Sequence, residues 1–455
     1  MTPVISAELP AVTAALARYV VQSTPADVPE AVLKEARRSF LNWMGCAVGG
    51  SRHETIERAL AALTEFSGQP TTSLLGRPER LDALHAALIN GMSSHVFDFD
   101  DTHLKTIIHP AGPVAPAILA LAERQVVSGR DLLHAFVIGV EVECRIGNAV
   151  YPAHYDIGWH ITGTAGVFGA AAAAGWLLGL DERQMGWALG IAGTQSSGFR
   201  EMFGTMCKSF HPGRAAQNGL LAALLAKQNF TSSDRVLEAP RGFANVMATA
   251  RDFSKITQGL GDSFEIALNT YKPFACGIVI HPAIDGCIQM REELGLRGAE
   301  IERIDLRVHP LVLELTGKKT PRVGLEGKFS VYHSAAVAIL CGAAGELEYS
   351  DERVLDPAVI SLRARVVATS DPAIREDEVL VEIWMRDGTV HKRHVVHAKG
   401  SLMKPMSDAE LEDKFRRLST GVIPPTQADA LIAQCWGIDQ MADGGAIARA
   451  AAVRA

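Results

Sequence analysis

The 455-residue chain is 48% hydrophobic and 21% charged and carries a formal net charge of −7. This composition excludes a disordered polypeptide, and an acidic balance without clustered Lys and Arg excludes nucleic acid as a partner. The length suggests at least two domains, and seven cysteines without a CxxC pair suggest reduced, buried thiols in a cytoplasmic protein, not a disulfide framework or a zinc site.

Read from its start, the chain carries Glu8 and no basic segment followed by an apolar run, so no secretory signal is expected. Pro29 to Cys46 has helix-start cues, with Asp27 available as a cap and apolar Val32, Leu33, Ala36, Phe40 and Leu41 at helical spacing. Ile56–Phe66, Leu81–Gly91, Ala111–Val127, Arg130–Val150, Gly163–Leu180, Arg183–Ala192 and Ala215–Lys227 continue the pattern, and the first 270 residues read as all-helical. Ile161 to Leu180 is uncharged over about the length of a membrane span. Its Ala and Gly content, and the charged Asp181-Glu182-Arg183 after it, make it a tightly packed internal helix and leave no membrane partner.

After Lys272 the texture changes. Ile304, Leu306 and Val308 alternate with polar residues as in a strand, and Leu362–Val367 is a second candidate. Val379–Met385 and Thr389–Val396 flank Arg386-Asp387-Gly388, a hairpin signal. Ser407 with Glu410 three residues on forms a capping box, after which helical character returns. The expected fold is mainly α: a large helical domain from both chain ends (1–270 and 401–455), with a smaller α+β lid domain (271–400) inserted.

The chemistry concentrates between His95 and Pro110, where His95, His103 and His109 stand with Asp98, Asp100, Asp101, Lys105, Thr102 and Thr106 between apolar helices. Ionisable groups at such density are costly unless paired or used. A helical start to this stretch would put His95, Asp98 and Thr102 on one face, with Asp98 and Thr102 gripping one ligand group and Asp100 and Asp101 pointing elsewhere. His-Pro recurs at His109-Pro110, His211-Pro212 and His281-Pro282, each ahead of a helix-like run. Three helix mouths could then line one polyanion site. His160 precedes an uncharged helix and could move a proton beside a carboxylate, while Lys208 and Lys272 could hold carboxylates or a developing enolate. The Asp and His residues could instead hold a metal, but no DDxxD, HExxH, Walker or GxSxG pattern is present, so no metal and no cofactor are expected.

Asn90-Gly91, His95, Asp98 to Thr102, His109-Pro110, Gly158-Trp159-His160, Gly204 to Lys208, His211 to Ala216, Lys272-Pro273, Lys328-Phe329-Ser330 and Pro405 to Asp408 together resemble the MmgE/PrpD family. That family includes 2-methylcitrate dehydratase, cis-aconitate decarboxylase and iminodisuccinate epimerase. The resemblance implies a homodimer with a helical domain, an α+β lid and a metal-free, cofactor-free site between them. It places Asp98, Thr102, His109, His160, Lys208 and Lys272 in the pocket. Tyr332 and His333 depart from the family's usual pattern, which leaves the substrate open.

The expected activity is that of a lyase on a small di- or tricarboxylate, foremost dehydration of a 2-methylcitrate-like hydroxy acid. The expected catalytic residues are His160, Lys208, Lys272, Asp98 and His109, and the expected substrate contacts are Thr102, His103, His211 and Tyr332. Decarboxylation, epimerisation, a metal-dependent reaction and a non-catalytic scaffold are the rivals.

Overall fold

The computed structural model describes residues 11–453; the segment carrying Glu8, on which the reading of no secretory signal rests, lies outside them. Helix α1 (Glu30–Gly50) begins after Pro29, whose fixed φ suits that position. Asp27 does not cap it, because its carboxylate accepts from the Thr24 amide and hydroxyl instead. Helix α2 (Ala83–His95) is capped by Asp82, which accepts from the amides of Leu84 and His85. The chain then turns into strand β1 (Asp101–His103), and α3 (Ala111–Ala122), α4 (Gly129–Val150), α5 (Ile161–Leu177) and α6 (Cys207–Lys227) lead to strand β2 (Asn269–Tyr271).

Small residues set how closely these helices approach. A Cβ on Gly169 of α5 would lie 2.6 Å from the carbonyl oxygen of Gly139 on α4, so the two backbones touch. The uncharged α5 is therefore a core helix, and among the described residues no helix is long and apolar enough to cross a membrane. Likewise a Cβ on Gly91 would meet Gly213 Cα at 2.7 Å. This contact draws α2 against α6 and brings the end of one toward the start of the other.

The reading of the first 270 residues as all-helical needs correction. Strands Thr72–Ser73 and Arg80–Leu81 pair, and β1 pairs antiparallel with β2, with Thr102 opposite Thr270. Three residues show no alternation to read. The β1–β2 pair carries Lys272 back to the turn containing Asp98, although 174 residues separate the two.

From α7 (His281–Leu294) onward the chain alternates helix and strand. Strands β3 (Ile301–Val308), β4 (Val366–Ser370), β5 (Val379–Met385) and β6 (Val390–Val395), with helix α8 (Val331–Cys341) between the first two, form a sheet in the order β4-β3-β5-β6. The β3–β4 pair is parallel and the others are antiparallel. Ile304, Leu306, Val379, Val381 and Ile383 bury one face against Ile284 of α7 and Ala335 and Ala338 of α8. The Asp387-Gly388 turn closes the hairpin, with Gly388 at φ +88°. Leu362–Val367 is not one strand: Asp356 and Pro357 start a helix that runs to Arg363, and β4 begins only at Val366.

Helix α9 (Asp408–Ser419) has the Ser407–Glu410 capping box, and α10 (Pro425–Trp436) follows. Leu411, Phe415, Leu431 and Ile432 join the same apolar core as Phe40, Leu41 and Met44 of α1. The fold is thus mainly helical with a small mixed sheet.

Candidate active site

A cleft is lined by Asp98, Ile107, His109, Tyr155, His160, Phe203, Lys208 and Lys272 together with Gly277, Ile278, Val279, Leu315, Thr316 and Phe329. At its floor α2 ends at His95, and Asp98 takes φ +52°, a left-handed conformation costly for a non-glycine residue. Ile107, a β-branched residue at φ +58°, is strained in the same way and also lines the cleft. Asp98 Oδ1 accepts from Lys272 Nζ at 2.6 Å and from Lys208 Nζ at 3.0 Å. Its Oδ2 has no hydrogen bond among the described residues.

The imidazoles stand beside this trio. His95 Nδ1 donates to Asp100 Oδ2 at 2.6 Å, which leaves Nε2 to accept from Lys208 Nζ at 2.7 Å. His109 Nδ1 donates to the Asp101 carbonyl at 2.6 Å and lies 3.2 Å from Thr102 Oγ1. Its Nε2 is therefore a bare lone pair. His160 sits at the N-cap of α5, and its Nδ1 meets His211 Nδ1 at 2.8 Å. One ring nitrogen from each of His95, His109 and His160 falls within 4.8 Å of the others.

Burial and charge set the protonation states. Burial raises the cost of ionising Asp98, but Lys208 and Lys272 outweigh it and hold the carboxyl well below its ordinary value. Burial also opposes both ammonium groups. For Lys272 the closeness of Asp98 and Asp100 wins and its pKa rises; for Lys208 burial and the neighbouring Lys272 win and it falls. Burial pushes His109 and His160 well below the usual imidazole value, so both are neutral at pH 7. Proton acceptors and an ammonium with eased proton release thus share one desolvated space.

His95, Asp98 and Asp100, or the three imidazoles, are close enough to ligate a cation. The ammonium of Lys208 already occupies His95 Nε2 and Asp98 Oδ1, so a metal there would have to displace it.

Of the residues expected in the site, the structure brings Asp98, His109, His160, Lys208 and Lys272 together in the cleft. Thr102 lies behind it, against His109, on a strand and not on a helix face shared with His95 and Asp98. Asp100 does not point elsewhere but holds His95. His103 faces away, with Thr106 on one nitrogen and Glu265 on the other. Tyr332 is buried in α8 under Lys319 and does not line the cleft. The three His-Pro mouths do not converge. His109-Pro110 precedes α3 and His281-Pro282 opens α7, but His211-Pro212 lies inside α6, which starts earlier at Cys207. His211 reaches the site through His160, from the same helix face as Lys208 three residues before it.

Two buried lysines behind the Asp98 turn, Lys328 and Lys414, are not among the residues expected in the site, although Lys328 stands in one of the motif blocks. For Lys414 a signal existed: it falls between Leu411 and Leu418 on the apolar stripe of α9, where a cation is out of place.

Residues 14–256 match the MmgE/PrpD N-terminal domain, and residues 274–438 match the MmgE/PrpD C-terminal domain. The cis-aconitate decarboxylase of Aspergillus terreus is 27% identical over 462 residues, covering 95% of this chain and 94% of that protein. The cis-aconitate decarboxylase of Homo sapiens is 28% identical over 432 residues, covering 90% and 88%. The 2-methylcitrate dehydratase of Salmonella typhimurium is 24% identical over 365 residues, covering 75% and 74%.

Proposed function

The chain belongs to the MmgE/PrpD family, and on that premise we propose that it is a lyase acting on a small di- or tricarboxylate, eliminating water from a 2-methylcitrate-like hydroxy acid. The observation that carries this reading is the cleft's pairing of opposed functions: Asp98 between two lysines, facing neutral imidazoles.

In this reaction Lys272 and Lys208 hold the substrate's carboxylates, and a neutral imidazole, His160 assisted by His211 or His109 across the cleft, takes the proton from the carbon beside a carboxylate. The electron pair of that C–H bond forms the double bond. The C–O bond breaks, and the departing hydroxyl takes a proton from Lys208 and leaves as water. Asp98 Oδ2 orients the hydroxyl, and Thr102 steadies His109. Apolar Phe203, Phe329, Ile278 and Val279 keep bulk water out, so the charges act at low dielectric. No step requires a metal or organic cofactor.

A second reading, decarboxylation of a cis-aconitate-like acid, is favoured by the fuller coverage of the decarboxylase relatives. There the C–C bond to a carboxylate breaks, carbon dioxide leaves, and Lys208, whose ammonium releases its proton more easily than an ordinary lysine, protonates the resulting carbanion. An iminodisuccinate-type epimerisation would use the same groups on two faces of one carbon.

We further propose that residues 271–400 act as a lid over the helical part and that the working unit is a homodimer. Support for the lid is that both parts line the cleft. Light scattering tests the dimer, and a monomeric active enzyme would refute it. EDTA-treated protein is to be incubated with 2-methylcitrate, citrate, cis-aconitate and iminodisuccinate, and the products read by NMR. An unsaturated tricarboxylate from 2-methylcitrate supports the first reading, and itaconate-like loss of carbon dioxide from cis-aconitate replaces it with the second. Turnover only after a divalent ion is restored would refute the metal-free chemistry.

A further inference from the structure

Three successive carbonyls of the turn that carries Asp98 accept from three different lysines. Phe97 O accepts from Lys328 Nζ at 2.8 Å, Asp98 O from Lys272 Nζ at 3.2 Å, and Phe99 O from Lys414 Nζ. The outer two lysines also reach the facing segment, Lys328 to Ala275 O and Lys414 to Lys272 O, each at 2.9 Å. Residues 97–99 and 272–275 are therefore stitched together from two sides, beyond the point where the β1–β2 ladder ends at Asp101 and Tyr271.

We propose that Lys328 and Lys414 are positioning residues that clamp this strained turn so that Asp98 meets the ammonium groups of both Lys208 and Lys272. The kinetic part of the inference rests on the reaction proposed above.

The coordination of the two cations argues for a clamp over filler. Each ammonium has three N–H donors, and each is fully used: the third goes to Glu346 Oε1 at 2.8 Å for Lys328 and to Asn42 Oδ1 at 2.7 Å for Lys414. Among the described residues Lys414 has no carboxylate within ion-pair distance, so it is a buried cation held by carbonyl oxygens and by the face of the Phe99 ring, whose centroid is 4.1 Å away. A methionine would fill the same volume without the cost of desolvating a charge. What methionine cannot do is pull Phe99 O and Lys272 O toward one point. The two clamping residues also come from different parts of the chain, one just before α8 and the other from α9. The turn is thus fixed only when both have docked on it.

The test uses the full-length variants Lys328→Met, Lys414→Met, Lys414→Arg and the milder Asn42→Ala, with helicity checked by circular dichroism. Hydrogen exchange of peptides spanning 96–104 and the separate kcat and KM values are measured. In the folded Met variants, exchange of the turn should quicken at least about tenfold, and kcat should drop at least about thirtyfold with KM within about threefold. Lys414→Arg should recover part of kcat. Exchange and kcat within about twofold of the parent protein in folded Met variants would overturn the clamp. Should both Met variants fail to fold, Asn42→Ala decides by the same two readouts. If the parent protein turns over no polycarboxylate, the proposed reaction fails, and the exchange measurement still decides the clamp.

Discussion

His109-Pro110 and His281-Pro282 each stand at the start of a helix, yet only the first of these two histidines reaches the cleft. His109 is held by the Asp101 carbonyl, its amide donates to Thr162 Oγ1 at 3.1 Å, and its ring lies 4.8 Å from that of His95. His281 packs edge-on against Phe274 at 5.3 Å, and neither of its ring nitrogens has a hydrogen bond among the described residues. A helix start supplies a position and a partial charge. Chemistry comes from what the rest of the fold delivers there, in this case Lys272 through the β1–β2 pair and Lys208 through the Gly91–Gly213 contact.

The contrast breaks first if the delivered cations are removed. Lys272→Met takes away the ammonium 2.6 Å from Asp98 and leaves a buried carboxylate with Lys208 alone. The expected cost is about 3–5 kcal/mol in stability, by urea unfolding, with kcat/KM lowered about a thousandfold. His109→Asn should lower kcat about a hundredfold and leave stability close to that of the parent protein.

Partnered and unpartnered buried groups should also differ in the sign of their pH dependence. Asp98, held low by its lysines, contributes stability above the ordinary carboxyl value of 3.8 that is lost as pH falls through its folded value. Glu143 of α4 is buried with neither oxygen hydrogen-bonded among the described residues, and burial together with Asp101 pushes it well above 4.5. Above pH 4.5 the unfolded chain releases this proton while the folded chain keeps it, so Glu143 costs stability as pH rises. Glu143→Gln should therefore gain on the parent protein by about 1.4 kcal/mol per pH unit, checked by urea unfolding at several pH values from about 5 to 7. The smallest effect belongs to His281→Phe, which should leave kcat/KM within about threefold. A loss there as large as for His109→Asn would erase the distinction between the two helix starts.

Much of the architecture was readable where local chemistry decides it. Ser407 and Glu410 cap α9, Asp387-Gly388 closes the hairpin, and Val379–Met385 is a strand as its alternation indicates. What escaped reading depends on contacts distant in sequence. A three-residue strand such as β1 has no period, and the left-handed Asp98 ends a helix whose pattern does not announce the break. Pro212 sits inside α6, where the packing of α6 on its neighbours outweighs the local preference for a helix start. The grouping of Asp98, His160, Lys208 and Lys272 was legible as a set of chemically suited residues, but Tyr332 and His103, placed beside them by the same reasoning, lie elsewhere. His103 is drawn off by Glu265, 162 residues away in sequence, and Tyr332 by its burial in the first turn of α8.

The most direct trial of proton transfer within the cleft is proton NMR of turnover in D2O, comparing the parent protein with a folded His160→Ala variant on 2-methylcitrate and cis-aconitate. The parent protein should exchange or install deuterium at the carbon beside a carboxylate as product forms, and the variant should lose both activities together. Full turnover and full deuterium incorporation by the variant would contradict that chemistry.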